Sequence, residues 1–381
     1  MQKVNLIALL ILFAGCSSES SQIQFESLLD SEWSKIVKDN PIYASSMGDL
    51  TQNTEWSDTS VKNIYSDHQH QLEVLNQLDQ LDLSNFTEDN KVNYSLFKQQ
   101  YENSIESHAY KTFLIPFSHR GGIQLQHETT SIVPLRNKQH YLDWIERISK
   151  IDVLVDAAIE KGKIGIAEEI VPPRFLMQKV YKQIELQAFV EPRDSPFYRV
   201  FLEMDRSIDS IETEEIQQKA LNVIKLKVIP AYVKLHRFFK DEYLPACRTS
   251  IGIKEIKNGK EYYEFLARKF TTTNLTPKEI HEIGLSEVAR IRGEMDAIIK
   301  EVKWEGTFKS FLDDLRTNPK FYYETSEELF ESYLATSKRI DPELVKLFKV
   351  LPSMPYGLKP IPMESAPDTT TAYYQRPAAD G

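Results

Sequence analysis

"TPKEIHEIGLSEVARIRGEMDAIIKEV", residues 276–302, holds the start, the body and the period of one long helix. Thr276 can cap it, Pro277 suits the first helical position, and Glu279 stands three residues after the cap, so two start signals coincide. Ile280, Ile283, Val288, Ile291, Met295 and Ile298 then recur at helical spacing. A segment of this length with one apolar stripe is a helix that covers something.

The same pattern extends outward in both directions. Phe25, Leu28, Leu29, Trp33, Ile36 and Val37 form a stripe that Pro41 ends. Tyr141, Trp144, Ile145, Ile148, Leu154, Val155 and Ile159 form another, with Gly162 and Gly165 as its expected close. Ile216 to Phe239 adds a third, in which Pro230 is expected to kink or divide the helix. Thr325 with Glu328 repeats the capping signal before Leu329, Tyr333 and Leu334. Strand signals are few. Thr112–Ile115 and Gln124–Gln126 flank "PFSHRGG" and fit a small hairpin or an ordered loop. Thr369–Arg376 reads as a short strand and Ala379-Asp380-Gly381 as the turn after it. The fold class is therefore mainly α, one large multi-helix domain with a short β element near residues 357–376. No repeat of fixed period supports a solenoid.

The chain has 381 residues and a formal net charge of -10, with no basic block. A nucleic-acid partner has no electrostatic footprint here. At the N-terminus, "MQKVNLIALLILFAGC" places Lys3 before an apolar run and small residues before Cys16, the layout of an export signal. The run is shorter than the roughly 20 residues a permanent span needs. Leu12-Phe13-Ala14-Gly15-Cys16 resembles the bacterial lipobox, with Phe13 where Leu is usual. Residues 1–15 then read as a signal peptide, Cys16 as the lipidated residue and membrane anchor, and 16–21 as a flexible tether. Ser17 carries no Asp-type retention signal, which favours the outer membrane over the inner. Cys247, the other cysteine, reads as a small buried residue with no activating base beside it.

No reaction centre stands out. The short zinc-peptidase pattern needs a second His four residues after the first, but Ser131 follows His127-Glu128 and Leu285 follows His281-Glu282 at that place. His281 reads as a hydrogen-bonded packing residue, and His68 and His70 as surface residues. His119, His127 and His140 share a region, yet their spacing matches no ligand pattern. No phosphate loop and no Gly-x-Ser-x-Gly elbow is present.

Several stretches together resemble the bacterial family catalogued as domain of unknown function 885: "NPIYASSMGD" (40–49), "IVPPRFLMQKV" (170–180), "YLPACRTSIGI" (243–253), "NGKEYYEFL" (258–266), "LTPKEIHEIGLSEVARIRGEM" (275–295) and "ESAPDTTTAYYQRPAADG" (364–381). The resemblance implies a secreted or lipid-anchored body similar to helical zinc metallopeptidases. Family members carry a His-Glu-x-x-Pro-Gly-His-His segment downstream of the position matched by Gly381. It implies that residues 22–381 are a helical domain cut before its metal-binding helix, with no catalytic or metal residue in this chain. Zinc and a peptide substrate are then expected for the full-length protein, and this chain is expected to be inactive. By the same resemblance an edge strand would pair with substrate. Tyr373, Tyr374 and Arg376 would border the cleft, with Arg376 set to meet a carboxylate. Ordinary strand alternation would equally place the two tyrosines between core and solvent and Arg376 on the surface.

Two functions stay open: a lipid-anchored zinc-dependent peptidase whose catalytic segment is missing here, or a non-catalytic envelope lipoprotein binding a peptide or similar ligand in a helical cleft. If a packing segment is missing, exposed apolar surface should make this chain self-associate.

Overall fold

The computed structural model describes residues 20–361 and 372–374, which fall into two compact units, residues 20–275 and residues from Thr276 onward. Cys16 and Arg376 lie outside the described residues, as do the residues of the Ala379-Asp380-Gly381 turn.

The first unit begins with α1 (Ser21–Asp39), whose cap Ser20 accepts the Ile23 amide, and the short α2 (Pro41–Ser46), which Pro41 opens. Two long helices follow, α3 (Val61–Asp79) and α4 (Glu88–Ala109), capped by Ser60 and Thr87. They pair with each other and enclose, with α1, a core of Phe25, Leu28, Val74, Leu78, Phe86, Tyr94 and Tyr101. That core is apolar at the Phe25 end and turns polar toward Glu32 and Tyr101.

The larger core belongs to α5 (Lys138–Ser149), α6 (Ile151–Ala167), α7 (Arg174–Ala188), α8 (Ser210–Val223) and α9 (Ile229–Phe238). Trp144, Ile148, Val155, Val180, Phe197 and Tyr232 meet there. The stripe from Tyr141 to Ile159 is split at Lys150, and Gly162 and Gly165 do not close it. Both sit inside α6 because its backbone packs tightly. A Cβ on Gly165 would stand 2.6 Å from the Leu114 carbonyl oxygen and 2.9 Å from that of Ile170.

Pro230 does not divide its helix. From Ser210 to Ala246 the chain stays helical through two π turns, Ile224–Val228 and Phe239–Tyr243, ending in the short α10 (Leu244–Ala246). Pro230 and Pro245 each lie just beyond one of these turns. The carbonyl four residues before a proline loses its donor and meets the ring. Here those carbonyls, of Leu226 and Asp241, fall inside the widened turns, where the ordinary ladder is already interrupted. The unit closes with α11 (Gly259–Thr271).

A hairpin does form in "PFSHRGG", but one step inside the expected segments: β1 (Phe117–Ser118) pairs antiparallel with β2 (Gly121–Gly122). Gly122 has φ of +122°, which bulkier residues resist. Thr112–Leu114 and Ile123–Ser131 are 3₁₀ segments instead of strands. Buried Gln124 fixes the hairpin, donating to the Ser118 carbonyl at 2.7 Å and to Gln183 at 3.1 Å.

The second unit holds α12 (Pro277–Glu301), α13 (Phe308–Thr317), α14 (Ser326–Ile340) and α15 (Leu344–Leu347). Its first helix has the full expected capping box, Glu279 N to Thr276 Oγ1 at 3.2 Å and Thr276 N to Glu279 Oε2 at 2.8 Å. Arg292 lies 3.6 Å from the centre of the Phe308 ring, and Trp304 packs edge-on against Phe311. Among the described residues of this unit only Ile299 is buried; Val288, at 66% exposure, is typical of the α12 stripe. The β element expected near 357–376 is not seen in its described part. Residues 357–361 and 372–374 are irregular, and among the described residues no strand lies beside them to complete a ladder.

Candidate functional site

Where α1, α3 and α4 lose their apolar core, two connected depressions open in the first unit. The larger, about 780 Å³, runs along α4 with α3 on one side and the end of α11 on the other. The smaller, about 250 Å³, is walled by α1 and α3 and shares Asp67, Gln71, Gln100 and Ser104 with the larger. A combined space of this kind suits a small or extended ligand.

The chemistry differs along its length. At the α1 end Glu32 is 4% exposed, accepts a hydrogen bond from the Tyr101 hydroxyl and lies 2.8 Å from His70 Nε2. Burial, then the hydrogen bond to Glu32, raises the Tyr101 phenol well above its ordinary range, so Tyr101 stays a donor. Lys35 Nζ bridges Asp39 and, at 3.0 Å, Asp67. Three carboxylates thus face one ammonium. Along α4, Gln99, Gln100, Asn103, Ser104 and Ser107 follow one helix face, with Gln71 opposite. The far wall is less polar: Leu96, Phe113 and Phe270 line it, beside Lys269. His108 completes that wall, stacked on His68 at 3.8 Å and 6°, and burial holds its pKa below the ordinary value. His68 Nδ1 is buried without a hydrogen-bond partner.

His68 and His70 are therefore not the surface residues their polar surroundings imply. α3 turns His70 toward Glu32 of α1 and His68 toward α4. His281 corrects in the opposite sense: it is exposed on α12 and packs in no core. Cys247 is buried, and burial pushes its thiol up to about 12. His119, His127 and His140 do not converge. His127 Nδ1 pairs with Gln187 Nε2 at 3.0 Å, His140 lies against Asn137, and the His119 carbonyl accepts from Gln183. Tyr373 and Tyr374 are both exposed in irregular chain, and no cleft assembles around them among the described residues.

Zinc, which the family resemblance implies, does not fit the described residues: no three His, Cys, Asp or Glu side chains among them gather closely enough to hold a metal. No described helix is long and apolar enough to cross a membrane.

A helical body with a polar groove and no visible metal centre is the class that fold and site define. The family model described as "Bacterial protein of unknown function (DUF885)" matches residues 41–381, and the chain belongs to that family. Among solved structures the chain is similar to "the putative lipoprotein from Colwellia psychrerythraea", with a TM-score of 0.81 and 22% identity. The likeness covers 95% of this chain and 66% of that one, so this chain spans less than two thirds of that protein. No curated protein matches the chain.

Proposed function

We propose that the protein is exported and held in the outer membrane through a lipid on Cys16, and that the whole protein is a zinc-dependent peptidase whose metal ligands lie in sequence beyond these 381 residues. One observation carries the reading: the chain shares its fold with a lipoprotein a third of whose length it does not reach. The lipobox-like Leu12–Cys16 and the resemblance of residues 364–381 to the segment preceding a His-Glu motif support it further. On this reading the present chain supplies the scaffold and not the chemistry.

The test compares the whole gene product with this chain, each produced from Cys16 onward. Zinc by elemental analysis, about one per protein in the whole product and none in this chain, is the expected result. Absence of zinc from both would overturn the peptidase reading. Labelled palmitate should enter the exported protein and not its Cys16→Ser variant; no label in either would remove the anchor. A second reading, a non-catalytic lipoprotein that binds a peptide-like ligand, is favoured by the groove along α4.

A further inference from the structure

The groove along α4 has an unusual internal economy of hydrogen bonds. Gln71, Gln99, Gln100 and Asn103 have no hydrogen-bond partner in the protein, and neither do the hydroxyls of Ser104, Ser107 and Thr112. Elsewhere on α3 and α4 comparable side chains are used: Asn63 bonds Asp67, Asn90 bonds Glu26, and Ser95 bonds the Lys91 carbonyl. Gln71, Asn103, Ser104, Ser107 and Thr112 are also half-buried. Withdrawing polar groups from water without pairing them is unfavourable, so their concentration in one depression marks a surface shaped to be paired by something else.

The donor set narrows what that is. A carboxamide offers one acceptor and two donors side by side, and so matches a peptide unit, which presents one N–H and one C=O. Four carboxamides with a less polar opposite wall of Leu96, Phe113 and Phe270 fit a chain with a polar main chain and apolar side chains. The connected smaller depression adds polarity along the axis. Glu32, Asp39 and Asp67 outnumber Lys35 there, which suits a primary ammonium. Lys269 stands at the other end, where a carboxylate would be welcome.

We propose that this groove binds a short extended peptide, its main chain paired with Gln71, Gln100 and Asn103 and its amino terminus seated against Asp39 and Asp67. The inference goes beyond the peptidase reading and does not depend on it, because every group named is in this chain and none is a metal ligand.

Calorimetric titration of the chain with the unblocked tetrapeptide Ala-Ala-Phe-Ala, in buffer containing a chelator, tests it whether or not the whole protein binds zinc. Saturable one-to-one binding is expected. N-acetylation of the peptide should weaken it about tenfold, the loss of one charge-assisted pair. A lysine side chain could supply the same ammonium, so acetyl-Ala-Lys-Phe-Ala is a separate arm; tighter binding than the unblocked peptide would overturn the placement of the terminus. The double variant Gln100→Leu/Asn103→Leu should weaken binding at least tenfold with its far-ultraviolet circular dichroism melt unchanged. If that variant does not fold, Gln71→Leu on the facing helix serves the same comparison. Absence of saturable peptide binding, binding indifferent to these substitutions, or preferential binding of maltotetraose would each overturn the proposal.

Discussion

Replacing Arg147 by Met, and separately by Ala, tests how the first unit holds the 41–56 segment. The Arg147 side chain is wholly buried; one terminal nitrogen donates to Ser45 Oγ at 3.1 Å and to the Gln52 carbonyl at 3.3 Å, and the guanidinium lies 5.8 Å from the Trp56 ring. Trp56 in turn donates to the Arg147 carbonyl at 2.7 Å. No carboxylate touches the guanidinium, and Nε has no partner. Burial accordingly lowers its pKa from 12.5 to about 10, only partly offset by Asp143 and Glu55. A shift of that size corresponds to roughly 3 kcal/mol against keeping the charge inside. Met removes that cost while nearly preserving volume, but it gives up two hydrogen bonds from a charged donor, roughly 1.5–3 kcal/mol each, and the ring contact. The terms largely cancel, so Arg147→Met should lie within about 2 kcal/mol of wild type. Arg147→Ala adds a cavity beneath Trp56 and should cost about 3–5 kcal/mol. Urea denaturation followed by tryptophan fluorescence measures both. The pH dependence supplies a second check. Between pH 10 and 12.5 the unfolded chain holds the Arg147 proton that the folded chain has released, so this group adds stability as pH rises. Wild type should gain about 1 kcal/mol on the Met variant from pH 10 to 11. A Met variant as unstable as the Ala variant, or a constant difference across that pH range, would refute the reasoning.

Gly165→Ala should destabilise the first unit by about 2–3 kcal/mol, since both obstacles to its Cβ are backbone carbonyls that cannot swing aside; an unchanged denaturation midpoint would show that α6 can shift. Cys247 should react with a maleimide only after denaturant is added, because burial withholds both access and the thiolate; rapid labelling of native protein at neutral pH would contradict the packing around Tyr243.

Much of the architecture is carried by local chemistry that a linear reading finds. The Thr276–Glu279 capping box and the Thr325 cap appear where the residues place them, and the apolar residues from Tyr141 to Ile159 do enter the main core. What local pattern could not reveal is what a surface meets. The α12 stripe has the period of a covered face and yet is exposed, because period reports amphipathicity and not the presence of a partner. The hairpin was displaced because Gly121-Gly122, read as part of a loop, is itself the second strand. The groove was invisible for a related reason: unpaired glutamines and asparagines on α4 read as an ordinary solvated face until α3 and α11 are brought beside them. His70 and Glu32 are 38 residues apart, and only the α1–α3 packing makes them neighbours.

The π turns between α8 and α9 have a consequence for chain length. Ile216, Ala220, Ile224, Val228 and Tyr232 are all buried at steps of four. In an uninterrupted α-helix each such step advances about 40° around the axis, so four steps would carry Tyr232 about 160° away from Ile216. A turn that takes one residue more per revolution returns part of that drift and brings Tyr232 back to the core, where its hydroxyl reaches the Ile123 carbonyl at 2.6 Å. Deleting any one residue of Ile224–Val228 would therefore rebuild a regular helix and rotate everything after it by about 100°. Tyr232, Leu235 and Phe239 would leave the interior together, so the number of residues in this stretch is constrained independently of their identity.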